Sequence, residues 1–516
     1  MKEIRLFFFF VISLFVVNSY SQCRDINLKA TVKTNIKNAK KGDALTFVRY
    51  CEETKIDDYG DLKNYFYLID DKGEQYNIDK SFESKFAVEI RNIQDFWNNR
   101  ILTDVIPHIK EDGYRYSMRQ EIEEEALTYI SKVKSYELDF NDPYLESYIY
   151  GLVCKIAPAY LIDGRPNNVN ILIQQSPEVN AFTYPNGTIV LNTGLLAALH
   201  SEDELVAILA HEIAHFILDH SIVNIIEQKE REKRAAFWSS LLTGVTAMAE
   251  GVIASKNNYY TPGVASIGVA TLSTVISSRI VERLGMEFNW DQEKEADQIA
   301  LQILKLLKYD PNGLATALSR IGEEALNNHR SALYIHSDTH PSLIERIDLV
   351  GQPSSPAQQN YEQTVSFAVT NAAIMKYQDK RFKQCLPLLT QNINNQVATA
   401  EDLLLKASCI LYTQNAQSSN EEALELINQS KQISPNNINI YKNEIIAVTR
   451  LNQITKAIEL LNEYKHCLDM LREQSQSYQS PRIWENTFSF IRSENMWTEQ
   501  MLLKLQGMSK TSRQLK

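Results

Sequence analysis

The stretch LAHEIAHFILDH, residues 209–220, places two histidines and a glutamate inside an otherwise apolar run. Eleven of the fourteen residues at 205–218 are Leu, Val, Ile, Ala or Phe. A segment that is apolar almost all round is typical of a helix in the protein core. Burial of His211, Glu212 and His215 without partners would cost several kcal/mol, so each side chain must have a compensating partner.

The spacing of the two histidines indicates what that partner is. His211 and His215 are four residues apart, so on a helix both imidazoles leave the same face, one turn apart. This geometry suits two ligands of one Zn²⁺ ion, with Glu212 placed to take a proton from water at the metal. Ser201 and Glu204 form a capping-box pattern at the helix start. The alternative, in which the histidines bond backbone carbonyls and Glu212 pairs with an arginine, requires three separate partners.

A catalytic zinc needs a third protein ligand, and DQEKEADQIALQILKLL at 291–307 offers one. Glu293 and Asp297 share the helix face that carries the apolar residues, and a buried carboxylate is costly unless it binds something. We predict Glu293 as the ligand and Asp297 as the acceptor for the outer nitrogen of a ligand histidine. Glu295 is the rival ligand but lies off that face. A solvated Glu293, favoured by the helix dipole, is the other alternative.

Composition limits the class of protein. The chain has 516 residues, long enough for two to four domains. It is 44% hydrophobic and 23% charged, which is typical of a globular protein. The net charge of −11 argues against a nucleic-acid partner, which would require a concentrated basic face. The six cysteines form no CxxC pair, so one or two disulfides are possible, and their pairing is open.

The N-terminus, MKEIRLFFFFVISLFVVNSYSQCRD, has the pattern of a secretory signal. Lys2 and Arg5 precede a twelve-residue apolar core at 6–17, and small residues follow. We predict a signal peptide over 1–21, too short for a membrane span, and hence secretion. A lipid anchor at Cys23 is the alternative.

Two units are expected ahead of the C-terminal region. Residues 24–115 contain the strand-like pieces ALTFVRY and NYFYLID and a DDKG turn, which predict an accessory β-containing domain of unassigned role. Residues 118–352 are mostly helical and contain one hairpin, VNAFTYPNGTIVLNTG at 179–194, which turns at 185–187. Two apolar stretches of 14 or 15 residues within 235–280 predict a helical hairpin packed on the core, or peripheral membrane contact.

The C-terminal region has an internal repeat. QPSSPAQQ at 352–359 is typical of a linker, and residues 360–480 follow with four apolar positions that recur after 34 residues. These positions are Ala423, Leu424, Leu426 and Ile427, repeated as Ala457, Ile458, Leu460 and Leu461. The period is that of tetratricopeptide repeats, which bind protein partners; an ordinary helical bundle is the alternative. Residues 481–516 are predicted to form a helical tail.

Taken together, the motifs VNAFTYPNGTIVLNTGLL, SEDELVAILAHEIAH, EKEAD and HPSLIERI resemble, in this order, the M48 family of zinc metallopeptidases. The resemblance covers about residues 150–350. It implies a zincin-like fold of the gluzincin type and one Zn²⁺ per chain. It also implies His211, His215 and Glu293 as ligands and Glu212 as general base. The expected fold class is α+β and mainly helical, with the small β domain first and the helical repeats last.

The resemblance also assigns residues around the metal. It implies that the strand with Asn180, Ala181 and Phe182 borders the cleft and pairs with an extended substrate. In HPSLIERI, His340 could stabilise the oxyanion or act as a removable fourth ligand, and Arg346 could pair with a carboxylate behind the ligands. The alternative for this segment is a structural helix start.

One segment departs from the family pattern. In FNWDQE, Asn289 and Trp290 stand where many members have Ser-Arg. A positive charge near the site is therefore lost, and a substrate contact is in doubt.

A signal peptide, an M48-like domain and helical repeats together resemble periplasmic M48 peptidases of envelope quality control. We therefore expect a zinc endopeptidase that acts on protein substrates, with an envelope partner on the repeats. The alternative is a chaperone or assembly adaptor whose proteolytic site is gated, since the long segment between His215 and Glu293 could cover the cleft. An integral membrane protease is a third alternative, resting only on the short apolar stretches.

Overall fold

The computed structural model describes residues 21–56, 62–108, 113–227, 288–327, 343–475 and 481–514. Residues 1–20 of the predicted signal peptide, the apolar segment 235–280 and His340 lie outside the described residues. Across the described part of the chain, no helix combines the length and the apolar character that a membrane crossing requires.

The N-terminal region is an antiparallel sheet, so the predicted β region is present. Its strands are β1 (Ser21–Val32), β2 (Ala44–Ile56), β3 (Leu62–Asp70), β4 (Gln75–Asn77) and β5 (Phe86–Val88). They lie in the order β4-β3-β2-β1-β5. Side chains alternate along β1, where Leu28, Ala30 and Val32 are buried and the residues between them are exposed. One face of the sheet therefore packs on the core.

A disulfide joins the first two strands. Cys23 and Cys51 lie directly opposite each other in the β1–β2 pair and are bonded through their sulfur atoms. A lipid anchor at Cys23 would require the same sulfur atom. The structure therefore favours the disulfide over the lipidation alternative.

The β region shares its core with the central region of the chain. Helices α1 (Phe82–Lys85) and α2 (Ile93–Arg100) come after the sheet strands β1–β4, and α2 continues as irregular helical turns to His108. Trp97 on α2 is fully buried, and its indole nitrogen donates a hydrogen bond to the Ile156 carbonyl at 2.7 Å. The hydrophobic core runs without a break from the sheet into the central region.

The central region contains the helix predicted from the opening motif. Its helices are α3 (Gly113–Ser135), α4 (Pro143–Ile156), α5 (Thr193–Ala198), α6 (Glu202–Ile217), α7 (His220–Glu227), α8 (Trp290–Leu307), α9 (Asn312–Asn327) and α10 (Leu343–Val350). Its strands are β6 (Asn170–Gln174), β7 (Ala181–Thr183) and β8 (Thr188–Asn192). Strands β7 and β8 form the predicted hairpin, while β6, which we did not predict, pairs in parallel with β8.

Helix α6 is the centre of this region, and α8 and α9 pack against it. Ser201 caps its N-terminus by accepting from the Glu204 amide at 3.2 Å, as the capping box predicts. The reciprocal half differs, because the Glu204 carboxylate accepts from the His200 amide at 3.1 Å and pairs with Arg320 at 2.8 Å. Glu204 is fully buried, so the arginine supplies charge compensation that a backbone amide alone would not.

The C-terminal region is helical throughout its described residues. Its helices are α11 (Gln359–Thr364), α12 (Ser366–Gln378), α13 (Phe382–Asn394), α14 (Ala400–Thr413), α15 (Gln417–Ile433), α16 (Asn439–Arg450), α17 (Ile454–Ser475) and α18 (Pro481–Gln514). The matched apolar residues of the 34-residue repeat lie on α15 and α17, and Ala423 and Ala457 are both fully buried. Helix α18, predicted as a tail, packs on α17 through Phe490, Ile491 and Leu505.

The segment predicted as a linker is held against the central region. The Ser355 amide donates to the Thr316 hydroxyl at 3.0 Å, and the Gln358 amide donates to the His200 carbonyl at 2.8 Å. The Gln358 side chain accepts from the Glu202 amide at 3.0 Å. Three hydrogen bonds thus attach this segment to α9 and to the start of α6.

Gly194, at the junction of β8 and α5, provides a test of this packing. A Cβ at Gly194 would lie 2.5 Å from the Pro177 carbonyl, so Gly194→Ala forces the backbone apart. We expect a loss of about 1–3 kcal/mol in the free energy of unfolding, measured by urea denaturation. Gly151→Ala is the matched control, since no atom lies within 4 Å of its added Cβ and α4 gains a better helix former. Equal effects of the two substitutions would contradict the packing described here.

Candidate metal centre

Helices α6 and α8 bring three predicted ligands together. The Nε2 atoms of His211 and His215 lie 3.0 Å apart. Glu293 places one carboxylate oxygen 3.6 Å from His211 Nε2 and the other 3.7 Å from His215 Nε2. All three side chains are buried, and their ligand atoms lie within 4.8 Å of one another.

These three residues fit a zinc ion. Ligands at about 2.0–2.1 Å around a tetrahedral zinc lie about 3.3 Å from one another, close to the spacings of the three side chains. Two imidazole nitrogens and a carboxylate oxygen are also a donor set that zinc enzymes use. His211 Nδ1 faces the Asp297 carboxylate at 2.9 Å, so its proton belongs on that nitrogen and Nε2 presents a lone pair to the centre.

Formal charge supports the same conclusion. Glu212, Glu293 and Asp297 contribute three carboxylates, and Arg346 contributes one guanidinium, all of them largely buried. Two negative charges remain, which a divalent cation would neutralise. Burial lowers the pKa of His211, but the Asp297 and Glu293 carboxylates outweigh burial and raise it above the usual value. The centre therefore attracts positive charge.

Arg346 connects the carboxylates behind the ligands. Its Nε and Nη2 atoms donate to the two oxygens of Asp297 at 2.9 and 2.7 Å, and Nη1 lies 2.7 Å from Glu293 Oε2. Burial alone would raise the pKa of Asp297, but Arg346 and His211 hold it at about 2. Asp297 is therefore ionised at neutral pH and faces His211 as an acceptor, in the position predicted from the sequence.

Glu212 has a partner that sequence reasoning missed. The Thr183 hydroxyl, at the end of β7, donates to Glu212 Oε2 at 3.0 Å, and both residues are buried. Burial raises the pKa of Glu212 above the usual value, although His211 and the Thr183 hydroxyl oppose that shift. The resemblance placed the VNAFT strand, which Thr183 ends, at the border of the cleft, but nothing in the sequence indicated that its hydroxyl meets Glu212.

The structure separates the roles of the residues predicted to contact substrate. Ala181 and Thr183 lie on one face of β7, whereas Phe182 is buried on the other face against Tyr184. Among the described residues, β7 pairs only with β8, so its second edge has no strand beside it. Backbone groups of residues 180–182, rather than the Phe182 side chain, are the candidates for pairing with a substrate.

Two further expectations concern the start of α8. Glu295, the rival ligand, turns away from the centre, and its side chain is 38% exposed where that of Glu293 is 9% exposed. Asn289, at the position that departs from the family pattern, caps α8 through a complete capping box with Gln292. Asparagine caps a helix as well as serine does, so the departure preserves the placement of Glu293 while a positive charge is lost.

His220 is a second residue that sequence reasoning missed. It follows His211 by nine residues in the opening motif, and its Nδ1 atom lies 2.8 Å from His215 Nδ1. The ring of Phe288 stacks on His215 with ring centroids 3.6 Å apart. His340, the remaining predicted site residue, lies outside the described residues.

Comparison with known proteins identifies the same family as the motifs do. Residues 143–353 match the family model described as Peptidase family M48, which confirms the resemblance inferred from the motifs. The chain is 26% identical over 224 residues to the beta-barrel assembly-enhancing protease of Escherichia coli (strain K12). It is 26% identical over 186 residues to the metalloprotease LoiP of the same strain. It is also 27% identical over 185 residues to the mitochondrial metalloendopeptidase OMA1 of Arabidopsis thaliana.

These matches cover part of each protein. The aligned segments are 42%, 36% and 35% of this chain in the same order. They are 41% of the beta-barrel assembly-enhancing protease, 62% of LoiP and 31% of OMA1. The chain therefore spans less than two thirds of the length of each of these relatives, and the family match at residues 143–353 includes all the described site residues.

The choice between Glu293 and Glu295 as ligand can be tested directly. We expect about one zinc per chain in the wild-type protein and its loss in Glu293→Ala, because two imidazoles alone make an incomplete catalytic site. Glu295→Ala is the matched control on the same helix turn and should keep about one zinc at saturating metal. Metal content after chelator-free purification measures both. Zinc loss in Glu295→Ala but not in Glu293→Ala would reverse the assignment.

Proposed function

We propose that this chain, whose residues 143–353 match Peptidase family M48, is a zinc-dependent endopeptidase that hydrolyses peptide bonds of protein substrates. His211, His215 and Glu293 hold the metal in this proposal, and Glu212 is the general base. The observation that carries the proposal is the convergence of three buried ligand atoms within 4.8 Å beside a carboxylate that is held by Thr183.

Each residue has a distinct task in the reaction. When bound, zinc supplies Lewis-acid chemistry, which polarises the scissile carbonyl and makes a water molecule more acidic. Glu212 takes a proton from the attacking water and later delivers it to the leaving amine. The Thr183 hydroxyl orients the Glu212 carboxylate, and burial keeps the pKa of Glu212 above its usual value, which makes it a stronger base.

The substrate is held along β7 in this proposal. An extended peptide adds to the second edge of β7, beside which no described strand lies, and forms main-chain hydrogen bonds there. Because Thr183 is the last residue of β7 and bonds Glu212, a peptide on that edge is guided towards the general base. Backbone pairing accepts many sequences, which suits an enzyme that acts on misfolded or misassembled proteins.

The proposed setting is the periplasm, with a role in cell-envelope protein quality control. The Cys23–Cys51 disulfide supports an oxidising compartment. The name of the Escherichia coli relative, beta-barrel assembly-enhancing protease, joins proteolysis with the assembly of beta-barrels, and here the helices after residue 359 would provide the surface for a protein partner. An assembly role that does not depend on cleavage is the second candidate, favoured by the same name.

The general-base assignment is tested with Glu212→Gln. We expect zinc content to stay near one per chain, while hydrolysis of an unfolded protein substrate falls by about 10²–10⁴-fold, because proton transfer is lost. Zinc analysis and a quenched-peptide assay measure the two effects. Wild-type proteolysis in this variant would exclude the mechanism. Full activity of the variant in a cellular assembly assay would favour the second candidate instead.

The task of Thr183 is tested with an isosteric pair of variants. Thr183→Val removes the hydroxyl but keeps the side-chain shape, so the Glu212 carboxylate loses a hydrogen bond of about 1.5–3 kcal/mol. We expect kcat to fall by about 10–100-fold with zinc content unchanged. Thr183→Ser keeps the hydroxyl and should stay within about threefold of wild type. Equal activity of the two variants would show that the hydroxyl does not act on Glu212.

A further inference from the structure

We propose that His220 is a positioning residue for the metal ligand His215. Its Nδ1 atom accepts the proton on His215 Nδ1 and thereby directs His215 Nε2 at the metal. The inference rests on the zinc site of the proposed function, and it gives a role to a histidine and a glutamate, Glu295, that the reaction itself does not use.

The proton positions follow from the contacts. A histidine that ligates through Nε2 carries its proton on Nδ1, and His215 Nδ1 lies 2.8 Å from His220 Nδ1. His220 Nδ1 must therefore be the acceptor, which leaves the proton of the neutral His220 ring on Nε2. That atom faces Glu295 Oε2 at 3.5 Å. The chain of contacts runs from Glu295 through His220 to His215.

The conformation of the backbone between His215 and His220 allows their Nδ1 atoms to meet. Helix α6 ends at Ile217, and Asp219 then adopts a left-handed conformation with φ of 63°. That conformation turns the chain back, so His220 at the start of α7 reaches His215 within five residues. Aspartate tolerates this region better than most residues do.

Buried arginines stabilise this turn. Arg165 Nη1 lies 3.1 Å from Asp219 Oδ1, and Arg165 Nη2 donates to the Ile217 carbonyl at 2.8 Å. Arg119 also pairs with Asp219. Arg119, Arg165 and Asp219 therefore stabilise the tight turn that positions the His220 imidazole.

Helix α8 then provides a carboxylate behind each of the two histidine ligands. Asp297 faces the outer nitrogen of His211 directly, and Glu295 reaches that of His215 through His220. Glu293, two residues before Glu295 on the same helix, is itself the proposed ligand. Partners of this kind fix ring orientation and raise ligand basicity, and their loss typically weakens metal binding by about 10–100-fold.

The experiment compares His220→Phe and His220→Asn in the full-length mature chain. Phenylalanine fills the space of the ring without an acceptor, whereas the asparagine side-chain oxygen can occupy the position of Nδ1. Zinc affinity is measured by competition with a chromogenic chelator, and ligand geometry by the visible absorption of the Co²⁺-substituted protein. His466→Asn, at an exposed position on α17, is the control for loss of an imidazole.

We expect His220→Phe to bind zinc about 10–100-fold more weakly and to change the Co²⁺ spectrum. His220→Asn should stay within about threefold of wild type with an unchanged spectrum. Wild-type affinity and spectrum in His220→Phe would overturn the proposal, as would equal losses in the two variants, which indicate a packing role only. The zinc site of the proposed function is tested by zinc binding to the wild-type protein, and the role of His220 by the difference between variants. Failure of one is therefore distinguishable from failure of the other.

His220 is buried, so the fold of His220→Phe is checked by thermal unfolding in excess chelator, where the metal makes no contribution. If that variant does not fold, Glu295→Ala replaces it, since its side chain is partly exposed. We then expect zinc affinity about tenfold weaker than wild type, at the lower end of the range for such partners, because the effect passes through one further residue. An unchanged affinity would overturn the proposal in that case.

Discussion

Burial of α6 on every side is the constraint on which the rest of this structure depends. Each residue from Asp203 to Ile217 is buried, so every polar group on the helix must find its partner inside the protein. At the N-terminal end, the Glu202 carboxylate accepts from the hydroxyls of Tyr148 and Tyr309. At the C-terminal end, the turn after Ile217 is held by buried arginines. The same condition at the middle of the helix brings His211 and His215 to Glu293 in the candidate metal centre.

Charge at the centre is balanced by neighbouring elements rather than by α6 itself. Helix α8 supplies two of the three carboxylates, Glu293 and Asp297, and α10 supplies Arg346, which binds Asp297 with two hydrogen bonds. A buried carboxylate pair without that guanidinium would be strongly disfavoured, and without the carboxylates the two histidines would lack orientation. Helix α10 packs on α8 and α9, so α8 and α10 both have to be in place for either to contribute at the centre. This mutual dependence explains why the candidate ligands lie on helices, which hold positions more rigidly than loops do.

The C-terminal helices are attached at the start of α6, opposite to the end that carries His220. His200 and Glu362 pair across this boundary, and Asn395 also donates to Glu362 at 2.7 Å. The Thr193 hydroxyl donates to Asn371 at 2.9 Å. Apolar residues of α12 extend the core of the peptidase region. The C-terminal helices are consequently held at a defined position relative to the hairpin of β7 and β8, whose Thr183 bonds Glu212.

Sequence alone determined the parts of this protein that depend on local spacing. The four-residue interval of His211 and His215, the shared face of Glu293 and Asp297, and the turn at 185–187 all follow from helix and hairpin geometry. Thr183, His220 and the pairing of Arg346 with two carboxylates depend on which elements meet, and no local period encodes that. The segment predicted as a linker at 352–359 shows the same limit of sequence-based prediction. Its composition is that of a loop, but it forms hydrogen bonds with residues that are distant in the chain. Only the tertiary structure decided these contacts, because each one joins side chains that lie far apart in the chain or across a turn, where packing and not sequence spacing sets the distance.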